Sequence, residues 1–310
     1  MSNILIIKHG SLGDLIQANG AIKDIKNFYK NRKVLLLTSQ PYSIFMSECP
    51  YIDGVIIDKR LPRWNLFYLN NLKKILSKYN FSKVFDLQNS NRTKFYKKFI
   101  IKNVEWNSSE TTLESGEKKS DFDNHPVLDR MEIQLKKSGI ETEFTKNIDL
   151  SWAILDISRL IKQYTNGEYI LLFPFCSNKH QNKKWPYFKD LITKLKQDYK
   201  NKYPILIAPG PNELKEANKL NGKIVLNNNE PINIKTLISL INNAKFVISN
   251  DTGPAHIASH LDKKGLVFFG SHTSAKKVSI ENYNFKALSV KNLKDLNIDT
   301  VLNEVKSRLN

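Results

Sequence analysis

Cysteine is scarce in this chain. Only Cys49 and Cys176 occur among 310 residues, which excludes a disulfide scaffold and a cysteine-rich zinc module. Acid is short as well: 30 Asp and Glu face 48 Lys and Arg, a formal net charge of +18. Such an excess calls for an anionic partner or surface, with nucleic acid, anionic lipid and an acidic substrate as candidates. No zinc finger, RNP-like strand or heptad-linked basic region accompanies it, so a specific nucleic-acid partner is not expected. Apolar runs are short, and none approaches the roughly 18–20 residues of a membrane span. The first ten residues lack the layout of a secretory signal, because the basic residue follows a brief apolar run. Neither GxGxxG nor G-x4-G-K-[ST] occurs, so a dinucleotide fingerprint and a P-loop are absent. These absences leave a cytoplasmic protein of about two domains by length.

What is present is a repeated alternation. Continuous apolar runs at Ile4–Ile7, Val34–Leu37, Gly54–Asp58 and Lys83–Leu87 read as strands. Helical patterns lie between them, at about 14–29, 42–48 and 65–79. Strands apolar on both faces and separated by helices imply a parallel sheet covered on both sides. Residues 107–124 are polar and lack an apolar period, which reads as a long loop. A helix at 126–138 follows, ended by Gly139. The alternation then restarts with strands at Tyr169–Phe173, Pro204–Ala208, Lys223–Val225, Phe246–Ser249 and Gly265–Phe269. Intervening helices are expected from Trp185-Pro186, at about 211–220, 233–243 and 254–261, and a last one at about 294–309. The expectation is an α/β protein of two Rossmann-like domains, 1–150 and 151–310.

Open parallel sheets bind ligands beyond the carboxyl ends of their strands. Gly10-Ser11-Leu12-Gly13-Asp14 follows the first strand. It reads either as a ligand-facing turn, with glycines admitting close approach, or as a plain capping box of Ser11 and Asp14. Lys183-Lys184-Trp185-Pro186 sets two cations at a helix start, where a bound phosphate would relieve their repulsion from the dipole. The plain alternative is two solvated lysines. Asn250-Asp251-Thr252-Gly253-Pro254 offers a carboxylate for hydroxyls and N–H groups for a phosphate, with Pro254 suited to the first helical position. The rival reading is a simple strand–turn–helix. Asp251-Thr252-Gly253 lacks the second copy an aspartic protease needs. His256 and His260 lack the Glu of H-E-x-x-H. Asp121-Phe122-Asp123 falls in the polar stretch and reads as solvated. Residues 73–102 hold nine Lys and Arg against Asp86 alone, either a solvated basic face or a surface for an anion.

Five stretches together resemble glycosyltransferase family 9, the bacterial ADP-heptose:lipopolysaccharide heptosyltransferases. They are ILIIKHGSLGDLIQ (4–17), FDLQNSNRT (85–93), HPVLDRMEIQLKKSGI (125–140), FCSNKHQNKKWPYF (175–188) and FVISNDTGPAHIASHL (246–261). The resemblance implies a GT-B fold, with the acceptor on the N-terminal domain and the nucleotide-sugar on the C-terminal one, and inverting, metal-independent transfer without a cofactor. It implies Asp14 as catalytic base and Lys183 at the donor phosphates. Asp251 would hold the donor sugar, with Thr252 and Gly253 at the pyrophosphate and Glu213 at the ribose. Gly13, Ser177, Lys184 and His256 complete the expected donor set, and Ser11, Arg92 and Lys94 the acceptor set. The expected partners are a nucleotide-sugar, an anionic glycolipid of lipopolysaccharide-core type, and a membrane surface contacted peripherally. Two alternatives remain open from the residues: a nucleotide-sugar epimerase of the same architecture, and a non-catalytic binder of anionic glycolipid or nucleic acid.

Overall fold

The computed structural model describes residues 2–309. The chain divides into two compact units, the first ending at Trp152 and the second beginning at Ala153.

In the first unit β1 (Asn3–Ile7) leads into α1 (Leu12–Phe28), then β2 (Val34–Ser39), α2 (Ser43–Ser47), β3 (Gly54–Asp58), α3 (Leu66–Leu76) and β4 (Phe81–Asp86). These follow the apolar runs of the sequence. The strands lie parallel in the order β3-β2-β1-β4, with β5 (Glu105–Asn107) at the edge. Going from β2 and β3 on one side of β1 to β4 on the other reverses the winding. A crevice therefore opens at the carboxyl ends of β1 and β4. One face of the sheet packs Leu5, Ile7, Leu37 and Val84 against Leu69 and Leu72 of α3 and Tyr96 of α4 (Asn91–Phe99). Neither α4 nor β5 was expected. Only Thr93 and Tyr96 of α4 are buried, and lysines dilute any apolar period.

The supposed loop at 107–124 is folded. It holds α5 (Ser109–Thr112) and α6 (Lys119–Asn124), followed by α7 (Val127–Lys136). Each short helix is little more than a turn held by side-chain caps, so it needs no apolar period. Ser108 N, for example, donates to Thr111 Oγ1 at 2.8 Å, and Lys118 N to Asp121 Oδ2 at 3.0 Å. Asp123 of the D-x-D sequence lies in α6 and pairs with Lys119 at 2.5 Å. Residues 143–145 cross α1 at Gly20. Asp24 accepts the N–H groups of Glu143, Phe144 and Thr145 there. A Cβ on Gly20 would lie 1.9 Å from Phe144 O, so no side chain fits at that position.

The second unit opens with α8 (Ser158–Lys162), another helix without a legible period, and β6 (Ile170–Phe173). It continues through α9 (Phe188–Asp198), β7 (Ile205–Ile207), α10 (Leu214–Ala217) and β8 (Lys223–Ile224). A small hairpin, β9 (Leu226–Asn227) and β10 (Glu230–Pro231), turns through Asn228 and Asn229 at positive φ. Then come α11 (Ile234–Asn243), β11 (Phe246–Asn250), α12 (Gly253–His260), β12 (Gly265–Phe269), β13 (Phe285–Ser289) and α13 (Ile298–Leu309). The sheet order β13-β12-β11-β6-β7-β8 is a Rossmann winding with its switch point between β6 and β11. Trp185, 1% exposed, is wedged against Phe188 and Phe268 and donates from Nε1 to Leu296 O at 2.8 Å. Its truncation to Ala should cost about 3–5 kcal/mol.

Candidate active site

In the first unit the strand-end loops supply a cluster of polar side chains. Ser11 N and Oγ both donate to Asp14 Oδ2, at 2.8 and 3.0 Å. The capping reading of Ser11 and Asp14 is therefore realised, and it fixes the carboxylate on the first turn of α1. Gly13 is buried in the same turn. Gly10 lies just ahead of that turn. Its φ is +100°, and a Cβ there would lie 2.4 Å from the Tyr42 ring. The glycine serves a backbone conformation and a side-chain contact within the protein.

Lys8 and His9 lie in the strand-end segment 8–14 but were given no role from the sequence, and both are buried at the crevice. Lys8 Nζ donates to Leu87 O at 3.0 Å, and burial lowers its pKa against the pull of Asp14 and Asp86. His9 N donates to Gln88 Oε1 at 2.9 Å, and its Nε2 lies 2.7 Å from Asp58 Oδ2. Tyr68 and Tyr96 both donate hydroxyls to Asp58. Burial works to raise the Asp58 carboxyl, but His9 and Tyr68 outweigh it and hold it at about 2. The only sequence signal for these residues was their position directly after a strand.

Arg92 and Lys94 are largely engaged within this unit. Arg92 donates to Leu61 O at 3.0 Å, Arg60 O at 3.2 Å and the Tyr96 hydroxyl at 3.1 Å. Lys94 pairs with Glu110 at 2.7 Å and lines a small pocket with Asp86, Asn89, Thr93 and Ser109. Lys83 likewise meets Glu105 at 2.7 Å. Part of the basic stretch at 73–102 is thus balanced by acids just beyond it.

In the second unit the loops after β6, β11 and β12 converge on one carboxylate. Lys183 Nζ lies 2.6 Å from Asp251 Oδ2. His272 Nε2 lies 3.0 Å from the same oxygen, and His256 Nε2 lies 3.7 Å from Oδ1. Burial pushes the Asp251 carboxyl up, and Lys183 with the two histidines pulls it down further, so the net shift is downward. Asn250 Oδ1 accepts the Trp185 N–H at 3.0 Å and ties the two strand ends together. Its Nδ2 and His272 Nδ1 are buried without hydrogen-bond partners among the described residues. His272 was missed as a site residue, although the segment following β12 was a place to look.

The helix assignments need two corrections. α9 begins at Phe188, beyond Pro186, so Lys183 and Lys184 do not stand at its N-terminus. Lys183 closes a 3-10 segment (Asn178–Lys183), and the two lysines diverge: Lys184 Nζ pairs with Glu216 at 2.6 Å. α12 begins at Gly253, with Thr252 as its cap and Pro254 second, so Thr252-Gly253 does stand at a helix entrance. Glu213 closes its own turn, accepting Gly210 N at 2.7 Å, and burial raises its pKa. Ser177 is exposed at the start of the 3-10 segment. Among the described residues no group of three His, Cys, Asp or Glu is placed to hold a metal ion.

A model of the family described as glycosyltransferase family 9 (heptosyltransferase) matches residues 69–302. Among solved structures, the E. coli heptosyltransferase WaaC with ADP is 18% identical, with 99% of each chain covered and a TM-score of 0.73. E. coli ADP-heptose lps heptosyltransferase II is 15% identical, covering 99% of this chain and 98% of its own, at a TM-score of 0.70. The UDP-GlcNAc 2-epimerase from Methanocaldococcus jannaschii is 16% identical, covering 100% of this chain and 93% of its own, at 0.61. No curated protein matches the chain. These likenesses show the α/β fold of GT-B type that the sequence predicts.

Proposed function

The chain belongs to glycosyltransferase family 9, the heptosyltransferases, and from that premise we propose that it transfers heptose from ADP-heptose to a lipopolysaccharide-core-type acceptor, inverting the anomeric carbon. The observation that carries this reading is the convergence of Lys183 and His272 on Asp251, beside the Thr252-Gly253 entrance of α12. A diphosphate at that entrance competes for the Lys183 ammonium. The Asp251 carboxylate, lowered from its ordinary value and held from the loops after β6 and β12, then accepts hydrogen bonds from sugar hydroxyls. The ADP in the WaaC structure supports an adenosine diphosphate leaving group. Ser177, Lys184, Glu213 and His256 border the same strand ends and complete the donor site.

In this reading the first unit handles the acceptor and the second the donor. Asp14, with Gly13 beside it, takes the proton of the acceptor hydroxyl as its oxygen attacks the anomeric carbon. The bond from that carbon to the diphosphate oxygen breaks, and ADP leaves with the electron pair. Lys183 and the N–H groups at Thr252-Gly253 meet the developing charge, with no metal required. Ser11 orients Asp14, while Arg92 and Lys94 line the acceptor side, where an anionic acceptor competes with Glu110 for Lys94. The acceptor's lipid places the enzyme on the inner face of the cytoplasmic membrane as a peripheral protein. Among the described residues no helix is long and apolar enough to cross a membrane.

The test is product analysis with ADP-heptose and a core-type acceptor. The expected result is glycosylated acceptor plus ADP in equal amounts. Epimerised nucleotide-sugar without transfer would favour the epimerase alternative. Donor binding with no turnover in any acceptor would favour a non-catalytic binder.

A further inference from the structure

The connection from β3 to α3 carries side chains that a soluble surface normally avoids. Trp64 is 80% exposed, Leu66 69% and Phe67 92%, with Leu61 also exposed. Scattered exposed hydrophobes need no explanation, but four within seven positions form a patch. The backbone beneath them is firmly held. Arg92 binds the carbonyls of Arg60 and Leu61, Asp58 accepts Arg60 N at 2.8 Å, and Asn65 caps α3 by accepting Tyr68 N at 3.0 Å. The apolar side chains are thus displayed from an ordered loop and the first turn of α3.

The charge around them has one sign. No acidic residue lies between Asp58 and Asp86, while Lys59, Arg60, Arg63, Lys73 and Lys74 fall in that interval. Among the described residues Lys59, Arg60 and Arg63, all exposed, form no ion pair. Exposed Trp, Phe and Leu flanked by Lys and Arg suit the boundary of a bilayer, where rings and aliphatic groups enter the acyl region and cations meet phosphate. The parallel sheet also places this segment on a particular rim. It follows β3, so it shares the carboxyl edge of the first sheet with Asp14, which follows β1.

We propose that residues 59–67 are a membrane-docking face that inserts Trp64, Leu66 and Phe67 into a bilayer bearing anionic phosphate headgroups. This deepens the acceptor reading above, because it assigns the side chains that bring the Asp14 rim to a lipid-linked acceptor.

The experiment is co-sedimentation of the full chain with phosphatidylcholine vesicles, with and without roughly one-third phosphatidylglycerol. The wild type should bind the anionic vesicles, less so at high salt, and brominated lipid should quench Trp64 fluorescence. W64S/L66S/F67S should lower partitioning at least about tenfold. K59Q/R60Q/R63Q should lower it about as much and flatten the salt dependence. Tyr283→Ser removes a ring that is 93% exposed in the second unit and should change nothing. All these side chains are exposed, and matched thermal unfolding of each variant confirms that folding is intact. The proposal is overturned if the wild type does not prefer anionic vesicles, or if the apolar triple variant binds like wild type. It is also overturned if that variant converts a dimer in solution to a monomer, which would make the patch a contact between copies. Transfer to a lipid-free core oligosaccharide separates the two claims. Its retention in the apolar triple variant isolates the docking role. Vesicle binding by a wild type that transfers no sugar would sink the functional reading alone.

Discussion

In the first unit the charged groups at the strand ends are settled by neighbours on nearby elements. Asp14 is held by Ser11, and His9 and Asp58 are closed in by Tyr68 and Tyr96. In the second unit one buried carboxylate, Asp251, gathers a lysine and a histidine from separate loops and a second histidine from α12. The two arrangements suit different ligands. A capped carboxylate with a defined orientation suits the removal of one proton. A carboxylate whose cation can be drawn off by phosphate suits a ligand with hydroxyls beside a diphosphate. The comparison also separates two kinds of anion attraction. In the second unit it is a convergence on a single point, whereas in the first it is spread over a rim together with exposed apolar side chains.

The largest expected effect tests the first half of this contrast. Asp14→Asn keeps the size of the side chain and much of its capping ability but removes the base. Turnover should fall by roughly 10²–10⁴-fold with donor affinity intact. Single-turnover kinetics and donor titration check it, and turnover within a few-fold of wild type would reduce Asp14 to a cap.

Lys183→Ala tests the second half. It should cost about ten- to a hundredfold in kcat/KM, with kcat itself reduced, because a contact to the leaving diphosphate strengthens as charge develops. Lys184 stands at the margin of the donor site; Lys184→Ala loses the exposed pair with Glu216 and a contact over the Phe175 ring and should stay within a few-fold. If the lysines exchange these roles in steady-state assays, the divergence seen in the structure does not persist with donor bound.

A smaller effect separates the units by pH. Asp58, held at about 2 from an ordinary 3.8, gives the first unit stability that is present above pH 4 and lost as pH falls toward 2. His260 in the second unit works over a different window. Its Nε2 is buried without a partner among the described residues, and burial, aided by the charge of His256, pushes its pKa from 6.5 down to about 3. The unfolded chain therefore binds a proton first, and stability falls as pH drops from about 6.5 toward 3. Thermal unfolding across pH 7 to 2 should show the second window flattened in His260→Asn and the first in Asp58→Asn. Unchanged profiles would remove these groups from the account. The smallest effect expected is from a chelator. Transfer in excess EDTA should match the untreated rate, and activity restored only by Mg²⁺ would show that Lys183 and the α12 entrance do not suffice.

Much of the architecture was legible because the strands are buried on both faces. Runs such as Ile4–Ile7 and Gly265–Phe269 are apolar at every position except glycine, and no tertiary contact is needed to read them. Local chemistry was legible too: Ser11 and Asp14 lie three residues apart, as a capping box requires. Elements with few buried side chains were not, among them α4, α5 and α6, since their caps leave no periodic trace. The start of α9 was misplaced because Trp185-Pro186 resembles a helix entry, while Trp185 is in fact a wedge whose N–H goes to Asn250. Long-range placement belonged to the sheet alone. Lys183 reaches Asp251 across 68 positions and His272 across 21, because β6, β11 and β12 are neighbours with their carboxyl ends together. The same holds for Trp64, Leu66 and Phe67. By type they are core residues; the packing of α3 through Leu69, Leu72 and Leu76 decided that Leu66 and Phe67 face outward, since a helix on one sheet can bury only one of its sides, and Trp64 is exposed on the turn just ahead of it.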